Sequence, residues 1–183
     1  MTTTAVFAEI LVAGLGAVVW IVLIALAIAK PAKADLARLE HLKEWATLIT
    51  TFVLALSYAL GTVVDRVADS LFKNRFGKSA PDQSLLRLQV LARGDKVTDF
   101  VEYIRSRIRV SRSTTLNLAV TTIVMPVCLV RCLDPSAGQI VVCELVLAGL
   151  TVLAAFAAVR IGHAYDKRVK EAAAMRFRKH SHS

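Results

Sequence analysis

The sequence predicts an all-α integral membrane protein: four transmembrane helices in an antiparallel bundle, with a helical cytoplasmic loop between the second and third spans. Three observations carry this. The 183 residues are 56% hydrophobic, with a mean hydropathy of +0.57. The apolar residues fall into four runs long enough to cross a hydrocarbon core of about 30 Å. The net charge is +9, and the basic residues lie mostly between and beyond the runs, as in membrane proteins with cytoplasmic loops. A nucleic-acid-binding domain needs the charge but not the runs, so no nucleic-acid partner is expected; the bilayer is.

The first span covers about 5–29 and is interrupted only by Glu9. No Lys or Arg precedes it and no small-residue cleavage site follows, so it reads as a retained span rather than a signal peptide. Ala13 and Ala17, with Gly14 and Gly16, offer a small-residue face for close helix packing. Residues 30–44 are polar; Pro31 suits a first helical turn, and Leu36, Leu39 and Leu42 suggest a short amphipathic piece. The second span covers about 45–64. It begins at Trp45, an interfacial aromatic, and carries Ser57 and Gly61 four residues apart. Helical character is expected to persist to Phe72.

Residues 65–113 form a basic helical cytoplasmic segment. A loop at 73–83 contains Asn74, Gly77, Ser79 and Pro81. Leu85, Leu88 and Leu91 or Ala92 then share one helical face, with Gly94 as a C′ residue. Asp95 is placed to cap the next helix. There Val97, Val101, Ile104 and Ile108 recur at helical spacing, and Arg105, Arg109 and Arg112 stand at i, i+4, i+7. This helix runs into the third span, about 114–133, which carries Asn117 and Pro126. Asp134, Pro135, Ser136, Ala137 and Gly138 read as a tight turn. The fourth span covers about 139–159, with Ala154, Ala158 and Gly162 as a small-residue stripe. A basic tail, 164–183, ends the chain. The small-residue faces suit homo-oligomer formation.

Counting Lys and Arg orients the spans. Segment 65–113 has eleven and 160–183 has seven, against four in 30–44 and Arg131 alone in the third turn. The positive-inside rule therefore puts both termini in the cytoplasm of a multi-pass protein of the cell (plasma or inner) membrane. Alternation then brings Glu9, Asp65, Asp69, Arg109, Arg112, Asn117, Arg160 and His163 to the cytoplasmic end, as one polar network. A charge at the centre of a bilayer costs about 2.5–3.5 kcal/mol and less near the interface. Pairing between the acids and the arginines makes this many tolerable.

The stretch from Gly61 through Asp65 to Asp69 has the spacing G-x3-D-x3-D. It resembles the second half of the metal-binding motif of CDP-alcohol phosphotransferases. That resemblance implies a divalent cation on Asp65 and Asp69 and a membrane phosphotransferase activity. The upstream half of the motif, D-x2-D-G-x2-A-R, has no counterpart before Gly61. The plain alternative is that both acids pair with Arg109, Arg112 or Arg160, with no metal and no cofactor.

The arginine stripe suits positive-inside anchoring on headgroups, or an anionic ligand or acidic cytoplasmic protein. Voltage sensing is disfavoured because the arginines lie at the start of the span rather than through it. Arg105 and Arg107, further from the membrane, are the candidates for contacting an anionic ligand or partner. Cys143 can meet Cys128 or Cys132 in a disulfide, or all three are small apolar core residues. Arg131 and Glu144 are candidates to pair at the outer end. His41 and His163 fall on opposite sides, and His180 and His182 lie in a tail expected to be disordered. No catalytic triad, phosphate-binding glycine loop or zinc spacing occurs. The function expected is a non-enzymatic anchor, sensor or effector with a basic cytoplasmic segment. The alternatives are an oligomeric ion channel or small transporter, and the metal-dependent phosphotransferase.

Overall fold

The computed structural model describes residues 3–29, 45–76, 96–132 and 135–180. Four helices account for nearly all of them: α1, Thr3–Ala29; α2, Ala46–Phe76; α3, Lys96–Cys132; and α4, Ala137–His180. Each is long and apolar enough to cross a membrane, over Val6–Ala29, Ala46–Phe72, Tyr103–Cys132 and Ala137–Tyr165. The expected amphipathic pieces at Leu36–Leu42 and Leu85–Ala92, the Asp95 cap and His41 lie outside the described residues.

The helices outlast their apolar stretches. α3 has 37 residues and α4 has 44, about 55 and 66 Å at 1.5 Å per residue. α3 passes through Pro126 without ending. α4 corrects two sequence expectations. It begins at Ala137 rather than 139, because Ser136 caps it. The Ser136 hydroxyl and carbonyl both accept from the Gln139 N–H, and the Gln139 side chain accepts from the Ser136 N–H, a reciprocal capping box. At its far end the helix continues to His180 instead of dissolving into a tail. Residues 167–180 are rich in Lys, Arg, Glu, Ala and Met, all strong helix formers.

Burial is inverted relative to a soluble domain. The buried positions are small or polar: Ala13, Ala17, Ala27, Ala68, Ser57, Ser113 and Asn117 among them. Large apolar side chains face outward, with Ile123 72%, Phe52 68% and Leu145 68% exposed. A soluble domain rarely exposes apolar surface on this scale, whereas helices in lipid associate through small residues and interhelical hydrogen bonds. Several threonine hydroxyls inside the apolar stretches are satisfied within their own helices, whereas the buried Ser57 and Ser113 hydroxyls have no partner among the described residues. Thr50, Thr51, Thr115, Thr121 and Thr151 each donate to the carbonyl four residues back, a usual way to carry a polar side chain in a helix.

α1 packs against both α2 and α3, α2 also touches α3, and α4 packs on α3. The α1–α2 seam is the tightest. A Cβ on Gly14 would stand 1.5 Å from the Ser57 carbonyl oxygen, and one on Gly61 would stand 2.0 Å from the Ile10 carbonyl oxygen. Only glycine lets the two backbones approach this closely. The α3–α4 seam includes a hydroxyl pair, Thr122 and Thr151, 3.1 Å apart.

Candidate functional site

The polar residues of α3 fall on two lines. Ser106, Ser113 and Asn117 stand at i, i+7 and i+11, which puts them on one face within about 40°. That face meets α1. Ser106 donates a hydrogen bond to Glu9 Oε1. Eleven residues on, the Asn117 amide donates to the Ala13 carbonyl at 2.7 Å and accepts from the Trp20 indole N–H at 3.2 Å. Gly16 makes room: a Cβ there would come within 2.4 Å of the Asn117 side-chain nitrogen. Asn117 is buried, so one amide ties two turns of α1 to α3.

Arg109 and Arg112 belong to the other line, turned toward α2. Arg109 Nε lies 3.6 Å from Asp65 Oδ2, and Arg112 Nη1 lies 3.1 Å from Asp69 Oδ1. The Arg112 guanidinium also stands over the Phe72 ring, 5.8 Å from its centroid. The outer pair is open to solvent on the Asp69 side and contributes little, about 0–1 kcal/mol. The inner pair is more enclosed. There Asp65 Oδ1, and nearby Glu9 Oε2 and Arg112 Nε, are buried atoms without a hydrogen-bond partner among the described residues. Glu9 differs from the two aspartates: its contact is a neutral serine, not an arginine.

The structure thus brings together Glu9, Asp65, Asp69, Arg109 and Arg112, with Asn117 further along the same helix. It does not join Arg160 or His163 to them. Both are exposed on α4, and neither contacts Glu9, Asp65 or Asp69 among the described residues. The reason is topological: α4 packs on α3, away from α2. Arg105 and Arg107 are exposed. Arg107 donates to the Tyr103 hydroxyl and lies 5.1 Å from the centroid of its ring.

At the opposite end, Arg131 does not pair with Glu144. It donates to the Ala27 carbonyl at 3.2 Å. On a helical wheel Arg131 is about half a turn from Thr122, which marks the α4 side of α3. Its guanidinium is therefore committed to α1. Cys128, Cys132 and Cys143 are free thiols in this structure, and the Cys132 sulfur lies 3.5 Å from the Leu26 carbonyl oxygen.

Asp65 and Asp69 each meet an arginine, and no group of three or more His, Cys, Asp or Glu is assembled for a metal among the described residues. The nine-residue phosphotransferase-like stretch therefore gains no third ligand there. Sequence reasoning found Ser57 as part of a small-residue face but missed Ser106 and Ser113. Ser57 and Ser113 are 0% and 1% exposed, and Ser106 is the partner of Glu9. The spacing of Ser106, Ser113 and Asn117 was the signal available.

The aspartate–arginine contacts lead to a direct expectation. Arg109→Ala should lower the unfolding free energy by about 1–2 kcal/mol, because it leaves a half-buried carboxylate without its partner. Arg109→Ala combined with Asp65→Asn should recover most of that loss in a double-mutant cycle. Thermal unfolding in detergent measures both, and a double variant no more stable than the single one would reject the pairing. No family model matches the chain, and no similar protein was found among curated proteins or solved structures.

Proposed function

We propose that the chain is a small multi-pass protein of the cell membrane, with four antiparallel spans and both termini in the cytoplasm. In this reading it is a non-enzymatic anchor or effector, whose basic cytoplasmic end binds an anionic species: lipid, ligand or acidic protein. The observation that supports it is the way α2 and α3 continue past their apolar stretches at the end where Glu9, Asp65 and Asp69 meet α3. Antiparallel packing of α1 and α2 is supported by the pairing of Ile10 with Gly61 and of Gly14 with Ser57. Membrane insertion is supported by the small and polar interior beneath a large apolar exterior.

At that end Glu9, Asp65 and Asp69 are engaged internally, by Ser106, Arg109 and Arg112. The remaining positive charge is left to act outward, at about 1 kcal/mol per basic residue near an anionic surface. Such a surface works as an electrostatic platform and needs no catalytic group. The second reading, an oligomeric channel or small transporter, draws on the buried hydroxyls of Ser57 and Ser113 and on Glu9, polar groups along the interior of α1, α2 and α3. Polar groups within spans mark ion pathways often enough to keep it. Three helices packed this tightly leave the pathway to an assembly of several copies.

Reconstitution separates the two. In liposomes of mixed anionic and zwitterionic lipid, the platform reading expects the protein to enrich anionic lipid in a salt-sensitive way. It expects no ion flux at any voltage or pH. Flux without lipid enrichment would reverse the order of the two readings.

A further inference from the structure

Three buried oxygens where α1, α2 and α3 meet have no hydrogen-bond partner among the described residues: Glu9 Oε2, Asp65 Oδ1 and Ser113 Oγ. Each comes from a different helix. Their levels follow from the contacts around them. Gly61 faces the Ile10 carbonyl, and Asp65 stands one turn beyond Gly61 on α2. Glu9 precedes Ile10 on α1 and reaches Ser106. Arg109 meets Asp65, and Ser113 stands one turn deeper than Arg109 on the same side of α3. Ser113 is 1% exposed. It lies about half a turn from Thr122, the α4 side of α3, so its hydroxyl is enclosed by α1 and α2.

The charges at this junction do not balance. Glu9, Asp65 and Asp69 meet α3, where the partners carrying charge are Arg109 and Arg112. Each aspartate has its arginine, and Glu9 has a neutral serine. Arg66 and Arg105 are exposed, where water and salt screen them. The enclosed groups therefore carry one negative charge in excess, on the side where the three oxygens lack a donor. An enclosed carboxylate without a countercharge is costly, and more so at a membrane.

We propose that Glu9 Oε2, Asp65 Oδ1 and Ser113 Oγ form a binding site for a small monovalent cation of the sodium type. Carboxylate and hydroxyl oxygens are hard donors, the kind that hard cations take. A single positive charge neutralises the junction. A divalent ion would leave it positive beside two guanidinium groups, and no third acidic ligand is assembled for one among the described residues. The site also gives a use to a buried hydroxyl in a seam otherwise built from Ala and Gly. It lies between the helices and is independent of what the basic end binds on its outer face.

The experiment uses the full chain purified in detergent. Thermal unfolding is followed in sodium chloride and in choline chloride at equal ionic strength, and radiolabelled sodium is counted by equilibrium dialysis. Wild type should bind a single sodium ion per chain. Its melting temperature should climb with the logarithm of sodium concentration above the dissociation constant, as linkage requires, and stay flat in choline. Glu9→Gln should abolish both the binding and the climb. Ser113→Ala should weaken binding about tenfold, the worth of one polar contact to a charge. Ser113→Ala removes no charge and no described hydrogen bond, so it keeps the test open if Glu9→Gln does not fold. Glu144→Gln, which removes the acid from the α4 span, should bind as wild type does. Absence of saturable sodium binding in wild type would overturn the site. So would wild-type binding by Ser113→Ala and a folded Glu9→Gln together. Stability that responds to acid but equally in sodium and choline would assign the balancing charge to a proton and overturn the cation.

Discussion

Gly61→Val is expected to separate α2 from α1. The first atom of any side chain at Gly61 would stand 2.0 Å from the Ile10 carbonyl oxygen, which is backbone and cannot turn aside. Gly14 presents the same problem in reverse, at 1.5 Å from the Ser57 carbonyl oxygen. The helices must move apart by more than the overlap, and the contacts of Ala13, Ala17 and Ser57 go with them. Overpacking of a tight interior costs about 1–3 kcal/mol and occasionally more; two backbones in contact put this seam at the upper end. Gly14→Ala and Gly61→Ala should each lose about 2–3 kcal/mol on that scale, and Gly61→Val should lose the tertiary fold while keeping its helix content. Far-ultraviolet circular dichroism against a cysteine-accessibility melt distinguishes the two losses. The natural thiols supply the probe, since Cys128 is buried. Wild-type melting of Gly61→Ala would mean that the two helices do not meet at this glycine.

The second large effect is expected at Asn117. Its amide makes two bonds to α1, one to the Ala13 carbonyl and one from the Trp20 indole. Asn117→Leu removes both and leaves the indole N–H without an acceptor in an apolar setting. Interhelical bonds of this kind are worth about 1–2 kcal/mol in model peptides and less in whole proteins. The unpaired donor adds a penalty of about 1–3 kcal/mol. A total loss near 2–3 kcal/mol follows from these ranges. Trp20 reports it locally. The chain has two tryptophans, Trp20 and Trp45, so in a Trp45→Phe background the emission comes from Trp20 alone. Asn117→Leu should shift that emission to shorter wavelength, as the indole loses a polar partner. Asn117→Asp, which keeps an acceptor and removes the donor to Ala13, should keep more of the wild-type spectrum than of the stability. An unshifted spectrum in Asn117→Leu would remove the Trp20 contact from the account.

Periodicity and length were enough to place the four long helices, because an apolar run of twenty or more residues has few other uses. The small residues of the α1–α2 seam were legible for the same reason: Ala13, Ala17, Ser57 and Gly61 are spaced to leave a flat face. The aspartates and arginines could be placed near one another from alternation alone. Which arginine takes which carboxylate depends on the rotation of α3, and no local rule gives that. The serines were harder still. Ser106 and Ser113 read as ordinary polar residues among arginines, and only the packing of α1 against α3 makes one of them the partner of Glu9. Arg131 was misassigned because depth along the chain was the only guide. It shares a level with Glu144, but α3 stands between them and turns the guanidinium to Ala27. The last turns of α4 were mistaken for a tail because their charge suggested a solvated end, although the same residues are good helix formers. Arg160 and His163 stand apart from the polar network because α4 packs chiefly on α3.

These assignments depend on one arrangement: four crossings, with the basic ends of α2 and α3 in the cytoplasm. Site-directed labelling tests it most directly. In a background with Cys128, Cys132 and Cys143 replaced by serine or alanine, single cysteines are introduced as Ser79→Cys and Ser136→Cys. Intact cells are treated with a membrane-impermeant maleimide, and the same treatment is repeated after permeabilisation. The account predicts that Ser136→Cys is labelled in intact cells and that Ser79→Cys is labelled only after permeabilisation. Labelling of Ser79→Cys in intact cells, with Ser136→Cys protected, would contradict it.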